Sequence, residues 1–73
     1  MIFKTYNTTY TLKDMGDGAF LISGHIEYCP VPTMVRIYHP LTVGNPVLFE
    51  YVDRPHGVES NHVITTPVQE IIE

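Results

Sequence analysis

Six prolines, all in the second part of the chain, restrict what this sequence can fold into more than any other feature. They stand at positions 30, 32, 40, 46, 55 and 67. Each proline ring removes a backbone donor and clashes with the preceding helical turn, so helices of ordinary length do not fit between them. The proline-free first part is rich in Thr, Tyr, Ile and Phe with period-two alternation, which favours strands. The pattern therefore predicts an all-β chain.

Alternation of apolar and polar residues locates the individual strands. In the first strand Tyr10 and Leu12 share one face. A glycine-rich turn connects it to a second strand, which carries Phe20, Ile22 and Ile26 on one side, and the two strands form a hairpin. Strands are predicted over residues 8–13, 20–26, 33–38, 47–52 and 62–72.

The end of the chain is open to two interpretations. We favour a closing strand, but Thr66, Pro67 and Gln69 also fit the start of a short C-terminal helical turn. The fold expected is a small curled antiparallel sheet or partly open barrel of five to six short strands. It forms a single small β domain over residues 1–73, because so short a chain has room for one core only.

Cysteine content and segment hydrophobicity indicate the compartment. The single cysteine, Cys29, excludes an intramolecular disulfide and is typical of a reducing environment. The first residues lack the basic flank and apolar stretch of a secretion signal, and no apolar run approaches the length that spans a bilayer. We expect a cytoplasmic protein with no membrane partner.

Charge and hydropathy limit the partners. Eight acidic residues oppose four basic ones, and the net charge of −4 repels a phosphate backbone, so no DNA or RNA binding is expected. Charged residues make up 16% of the chain and hydrophobic residues 44%, which predicts that part of the surface is buried against another protein. A second copy of the chain is the first candidate, and we expect a homo-oligomer.

Cys29 and the four histidines are the candidates for catalysis or metal binding. Together with an acid such as Asp53 they supply the groups of a thiol nucleophile and its base. Cys29 lies between Tyr28 and Pro30 in a turn, however, and catalytic thiols usually lie at a helix N-terminus or beside a cation. His25 and Cys29 are four residues apart, and no paired metal-ligand spacing is present. We expect no catalytic residue, no metal and no cofactor.

Two arginines and one long connector are the candidates for ligand binding. Arg36 and Arg54 are the only guanidinium groups, so an anionic ligand held by bidentate contacts would use one of them. The connector from Asp53 to His62 concentrates polar and ionisable groups, and binding residues often lie on such loops.

Three segments of the chain carry a resemblance to known proteins. They are residues 5–10, which include Asn7 and Thr8, residues 41–49, and residues 65–71, which begin with Thr65 and Thr66. In these segments the chain resembles short, mostly uncharacterised phage and bacterial β-barrel proteins. Small phage proteins of this kind include anti-defence sponges, which are oligomers that sequester nucleotide-derived immune signals.

The resemblance implies a non-enzymatic, homo-oligomeric binding protein for a small anionic nucleotide-derived ligand, in the cytoplasm of the host cell if the chain is phage-encoded. The residues expected to contact that ligand are Asn7, Thr8, Arg36, Arg54, His62, Thr65 and Thr66. Two alternatives stay open: a protein-interaction module that inhibits a host protein, and a small metal-binding or Cys/His-dependent protein.

Overall fold

The computed structural model describes residues 1–73 and consists of one curled antiparallel sheet that forms a half-barrel. Its seven strands are β1 (Ile2–Lys4), β2 (Thr9–Gly16), β3 (Ala19–Ser23), β4 (Thr33–Arg36), β5 (Leu48–Tyr51), β6 (His62–Ile64) and β7 (Glu70–Ile72). Their order across the sheet is β6-β5-β4-β3-β2-β1-β7. The all-β prediction is confirmed, whereas the predicted number of five to six strands is too low.

The two extra strands lie near the chain ends. The three residues of β1 are too few for alternation to reveal a strand, yet Phe3 pairs with both Tyr10 of β2 and Ile71 of β7. The single closing strand predicted over residues 62–72 is instead two strands, β6 and β7, at opposite edges of the sheet. Pro67 explains the division, because it has no N–H with which to continue a ladder. No helical turn is present.

The segment from Thr65 to Gln69 crosses from one edge of the half-barrel to the other. The N–H of Thr65 bonds to Val47, and the N–H of Gln69 bonds to the Lys4 carbonyl beside β7. Between them Val68 is fully buried and fills the end of the core. The structure contains no helix with the length and hydrophobicity that a membrane crossing requires.

The core lies on one face of the sheet. Residues directly opposite each other on neighbouring strands share a face, and the pairs Leu12–Ile22 and Phe49–Val63 are both buried. The cluster comprises Phe3, Tyr10, Leu12, Ile22, Cys29, Val35, Ile37, Val47, Phe49, Tyr51, Val63 and Val68. The alternation predicted for β2, β4 and β5 is therefore confirmed.

The chain leaves this pattern after β3. The prediction that Ile26 shares the buried face of Ile22 is wrong, since Ile26 is 86% exposed. Gly24 is the cause: it has a φ of +123°, and a Cβ there would lie 2.2 Å from the carbonyl oxygen of Thr9. The chain turns at this glycine into a loop, residues 25–29, that packs beside the end of β2.

Candidate functional site

A small cavity lies where the edge strand β6 approaches the loop between β1 and β2. Its volume is about 180 Å³, and it is lined by Thr5, Asn7, Thr8, Tyr10, His25, Tyr28, Val63, Ile64, Thr65 and Thr66. Four of the predicted contact residues, Asn7, Thr8, Thr65 and Thr66, are thus brought together although they come from opposite ends of the sequence. We call this the primary cavity.

Aromatic rings form one wall of the primary cavity. Tyr10 stacks on Phe3 with ring centroids 4.8 Å apart, His25 lies 6.2 Å from Tyr10 at an interplanar angle of 20°, and Tyr28 lies 4.7 Å from His25. Phe3 and Tyr10 belong to the core, whereas Tyr28 is 36% exposed. A continuous ladder of π faces therefore runs from the core to the solvent.

The loop from His25 to Cys29 is held in this position by hydrogen bonds within the loop. Cys29 and His25 form an isolated antiparallel bridge, in which the Cys29 N–H donates to the His25 carbonyl at 3.0 Å. Nδ1 of His25 accepts from the N–H groups of Glu27 and Tyr28, at 3.1 and 3.3 Å. In the neutral ring the proton then resides on Nε2, which is left free to donate.

The hydroxyl groups around the primary cavity differ in their availability. Thr65 is 8% exposed, and its Oγ1 accepts from Val47 N–H at 2.9 Å and donates to the Thr66 carbonyl at 2.7 Å. That hydroxyl is therefore used to hold the fold. The side chains of Asn7 and Thr66 are exposed and make no hydrogen bond within the protein. They are the polar groups open to a ligand.

The edge of β6 adds backbone donors and acceptors. Tyr51 N–H bonds to Asn61 and Thr65 N–H bonds to Val47, so the antiparallel alternation turns the peptide groups of His62 and Ile64 away from β5. The Ser60 hydroxyl occupies both groups of His62, accepting from its N–H at 3.2 Å and donating to its carbonyl at 3.0 Å. The N–H and carbonyl of Ile64, beside the primary cavity, have no such cap.

A second cavity of about 590 Å³ adjoins the first and shares Tyr28 and Val63 with it. The remaining lining residues come from the 25–29 loop, from the connector before β6 and from the first residue of β6: Glu27, Gly57, Val58, Glu59, Ser60 and His62. The predicted contact residue His62 lies here, with its Nε2 3.0 Å from the Glu50 carboxylate on the outer face. We call this the acidic cavity, because it contains two carboxylates and no lysine or arginine.

The two arginines lie outside both cavities and line no other. Nη1 of Arg36 donates to the Asp17 carbonyl at 3.1 Å, and Nη1 of Arg54 donates to the Glu59 carbonyl at 2.6 Å. The structure therefore separates the guanidinium groups from the hydroxyl and amide cluster within one chain. Sequence reasoning paired them because it treated the arginines as the only anion-binding groups.

His25 and Tyr28 are not among the residues predicted from the sequence to contact a ligand. The four-residue spacing between His25 and Cys29 could have indicated them, because it fits a tight turn. Such a turn pairs His25 with Cys29 and places Tyr28 between them. Cys29 itself is fully buried, and burial raises the pKa of its thiol above the usual value. No group of three His, Cys, Asp or Glu side chains is arranged to hold a metal ion.

Comparisons with known proteins found no match to this chain among family models, curated proteins or solved structures.

Proposed function

We propose that this protein is a non-enzymatic binding protein that captures a nucleoside-like ligand, with the base in the primary cavity and the ribose in the acidic cavity. The observation that carries this proposal is the ladder of Tyr10, His25 and Tyr28 along a cavity rimmed by free polar groups. A nucleobase combines a π face with a hydrogen-bonding edge, and both have counterparts here.

The base is matched by three kinds of group. Its face stacks on Tyr28 or His25, because aromatic side chains accept any base in this way. Its edge carries adjacent donors and acceptors, which the uncapped peptide groups of Ile64 and the amide of Asn7 complement. The small volume of the primary cavity suits one planar ring system.

The ribose is matched by carboxylates. Glu27 and Glu59 line the acidic cavity, and an acidic side chain that accepts from ribose hydroxyls is a recurrent means of recognising a nucleoside. The same carboxylates repel a phosphate. The proposal therefore favours a neutral nucleoside over the anionic ligand expected from Arg36 and Arg54.

Capture without turnover is the activity proposed. Cys29 is enclosed in the core with a raised pKa, so its thiol is neither accessible nor ionised at neutral pH. His25 is occupied on Nδ1 by two backbone donors, which makes it a positioning and stacking group. Sequestration of a neutral nucleoside, in the manner in which a phage sponge holds its signal, is one role that such a protein would fill.

Isothermal titration calorimetry with the four ribonucleosides and their 5′-monophosphates tests the proposal. We expect at least one nucleoside to bind, and its monophosphate and its 2′,3′-dideoxy form to bind more weakly. Absence of binding by every nucleoside would overturn the proposal. Equal affinity for the nucleoside and its dideoxy form would show that the ribose hydroxyls do not contact the carboxylates of the acidic cavity.

A pair of tyrosine variants locates the site. Tyr28→Ala should weaken nucleoside binding by about 1–3 kcal/mol, the usual value of one base–aromatic stack. Tyr6→Ala is the matched control, since Tyr6 is 67% exposed and lines neither cavity. Equal effects of the two substitutions would place the ligand elsewhere.

A further inference from the structure

The outer face of the sheet, opposite the core, is more apolar on β4, β5 and β6 than on β2. On β2 the residues opposite the core side are Thr9, Thr11 and Lys13. On the three strands at the other end of the sheet, and within two residues after them, they include Met34, Tyr38, Leu48, Val52 and Ile64. Tyr38 is 73% exposed, Val52 53% and Ile64 69%. The cross-strand row of Arg36, Glu50 and His62 divides them into one group of Tyr38, Leu48 and Ile64 and another of Met34 and Val52. Exposed apolar groups that lie this close together mark an interaction surface.

The polar residues within this outer face form a compact, balanced set. Arg36, Glu50 and His62 lie side by side across the three strands. Glu50 accepts from the Tyr38 hydroxyl at 3.0 Å and pairs with His62 at 3.0 Å, whereas Arg36 makes no ion pair in the chain. The face thus carries one full positive charge and one full negative charge.

We propose that this face packs against the same face of a second copy of the chain, forming a two-fold symmetric dimer in which Arg36 of each copy approaches Glu50 of the other. A two-fold interface must be self-complementary, and a face with one cation beside one anion satisfies that condition. The aligned packing of two sheets, about 10 Å apart, provides the geometry.

Charge distribution selects this face over the remaining surface. The chain has a net charge of −4, so two copies repel each other through most approaches. Of the eight acidic residues only Glu50 belongs to this face, and Arg36 offsets it. Two copies therefore meet here without net repulsion.

Edge-to-edge pairing is less favourable for a second copy. At the β6 edge the Ser60 hydroxyl already occupies the peptide groups of His62. At the β7 edge Glu70 pairs with Lys4 at 3.6 Å, whereas the neighbouring Glu73 has no basic partner, so two such edges would bring net negative charges together. Packing of the two faces leaves both sheet edges unpaired, and Ile64 and His62 of the face lie at the border of the primary and acidic cavities. The dimer does not depend on the proposed nucleoside binding, and failure of one leaves the other standing.

Sedimentation equilibrium of the purified chain tests the dimer. We expect a concentration-dependent dimer, and a monomer at millimolar concentration would overturn the proposal. Leu48→Lys and Val52→Lys should each raise the dimer dissociation constant about tenfold or more, because an unpaired charge enters an apolar interface. Val43→Lys is the control, since Val43 is 58% exposed in a loop outside the face. Equal effects of all three would also contradict this interface.

A charge exchange tests the two-fold pairing itself. Arg36→Glu and Glu50→Arg should each weaken the homodimer, because each places like charges opposite one another in both symmetry-related contacts. Mixing the two variants restores opposite charges in both contacts, so native mass spectrometry should show the heterodimer in excess. Circular dichroism confirms that each variant is folded. A mixture of folded variants with no preference for the heterodimer would overturn the pairing.

Discussion

The hydroxyl of Tyr51 donates a 2.8 Å hydrogen bond to the carbonyl oxygen of Tyr28 and so joins the sheet to the loop that lines both cavities. Tyr51 is a core residue of β5, 6% exposed, and its ring meets Phe49 edge-on with centroids 5.7 Å apart. Tyr28 is 23 positions earlier in the chain. The position of the stacking ring therefore depends on the packing of a distant strand.

Tyr51→Phe should separate this bond from the packing of the ring. Loss of the hydroxyl leaves the Tyr28 carbonyl without its partner, and we expect the free energy of unfolding to fall by about 1 kcal/mol. Nucleoside affinity should fall as well, because Tyr28 is less firmly placed. Urea unfolding and calorimetry measure the two effects. Tyr38→Phe, which removes an exposed bond to Glu50, is the control and should change stability by less.

The buried side chains of Tyr10 and Tyr51 should make the free energy of unfolding depend on pH in the alkaline range. Burial, the largest cause for both, raises each pKa from 10.0 to about 12. Because the unfolded chain then releases these protons at lower pH than the folded chain, the free energy of unfolding should decrease as pH rises from about 10 to about 12. Tyrosinate absorbance followed against pH should show a late component in the native protein. The hydrogen bond to Glu50 also raises the pKa of Tyr38, so persistence of the late component in the double variant Tyr38→Phe, Tyr51→Phe would assign it to Tyr10.

Thr65 and Thr66 are neighbours with different expected roles. Thr65→Val removes the acceptor of the buried Val47 N–H, and we expect a loss of about 1–3 kcal/mol in stability. Thr66→Val alters an exposed side chain, so it should leave stability nearly unchanged and lower nucleoside affinity. Urea unfolding and calorimetry on both variants distinguish the roles. If Thr66→Val were the destabilising change, Thr66 would be the structural residue and Thr65 the ligand contact.

The sequence predicts those parts of the fold that depend on local period. Strands β2, β4 and β5 follow from alternation alone, because their core residues recur every second position. β1 and β7 do not, since three residues show no period and their pairing joins the two ends of the chain. The exposed position of Ile26 depends on the approach of Gly24 to the Thr9 backbone, which no local pattern records.

The candidate site was predictable in part for a similar reason. Asn7 and Thr66 share a cavity because β1 is paired to β7 and the crossing segment connects β7 to β6. They were predicted together because their amide and hydroxyl groups suit a polar ligand. The separation of Arg36 from them is a property of strand order, since β4 is the third strand from the β6 edge and lies inside the sheet. Composition carries no information about that order.

Cys29 should behave as a structural thiol. It has no exposed surface, and burial raises its pKa, so both access and ionisation oppose reaction. A thiol-specific disulfide reagent should react slowly with the native protein and rapidly in urea. Treatment with a chelator should leave the melting temperature unchanged. Rapid native labelling, or destabilisation by the chelator, would instead favour the Cys/His-dependent hypothesis.

Gly24→Ala should be the most damaging small substitution in the chain. Its Cβ would meet the Thr9 carbonyl at 2.2 Å, and that carbonyl belongs to the backbone of β2, which is fixed by neighbours on both sides. Gly44→Ala is the matched control, because Gly44 also has a positive φ, +95°, but has nothing within 4 Å of an added Cβ. The control should cost about 1–2 kcal/mol, the usual strain of a left-handed alanine. Gly24→Ala adds a backbone clash to that strain and should displace the 25–29 loop, so both stability and nucleoside binding should be lost. Urea unfolding measures the stability of both variants, and calorimetry measures their nucleoside affinity. Equal losses in the two variants would contradict this account of the loop.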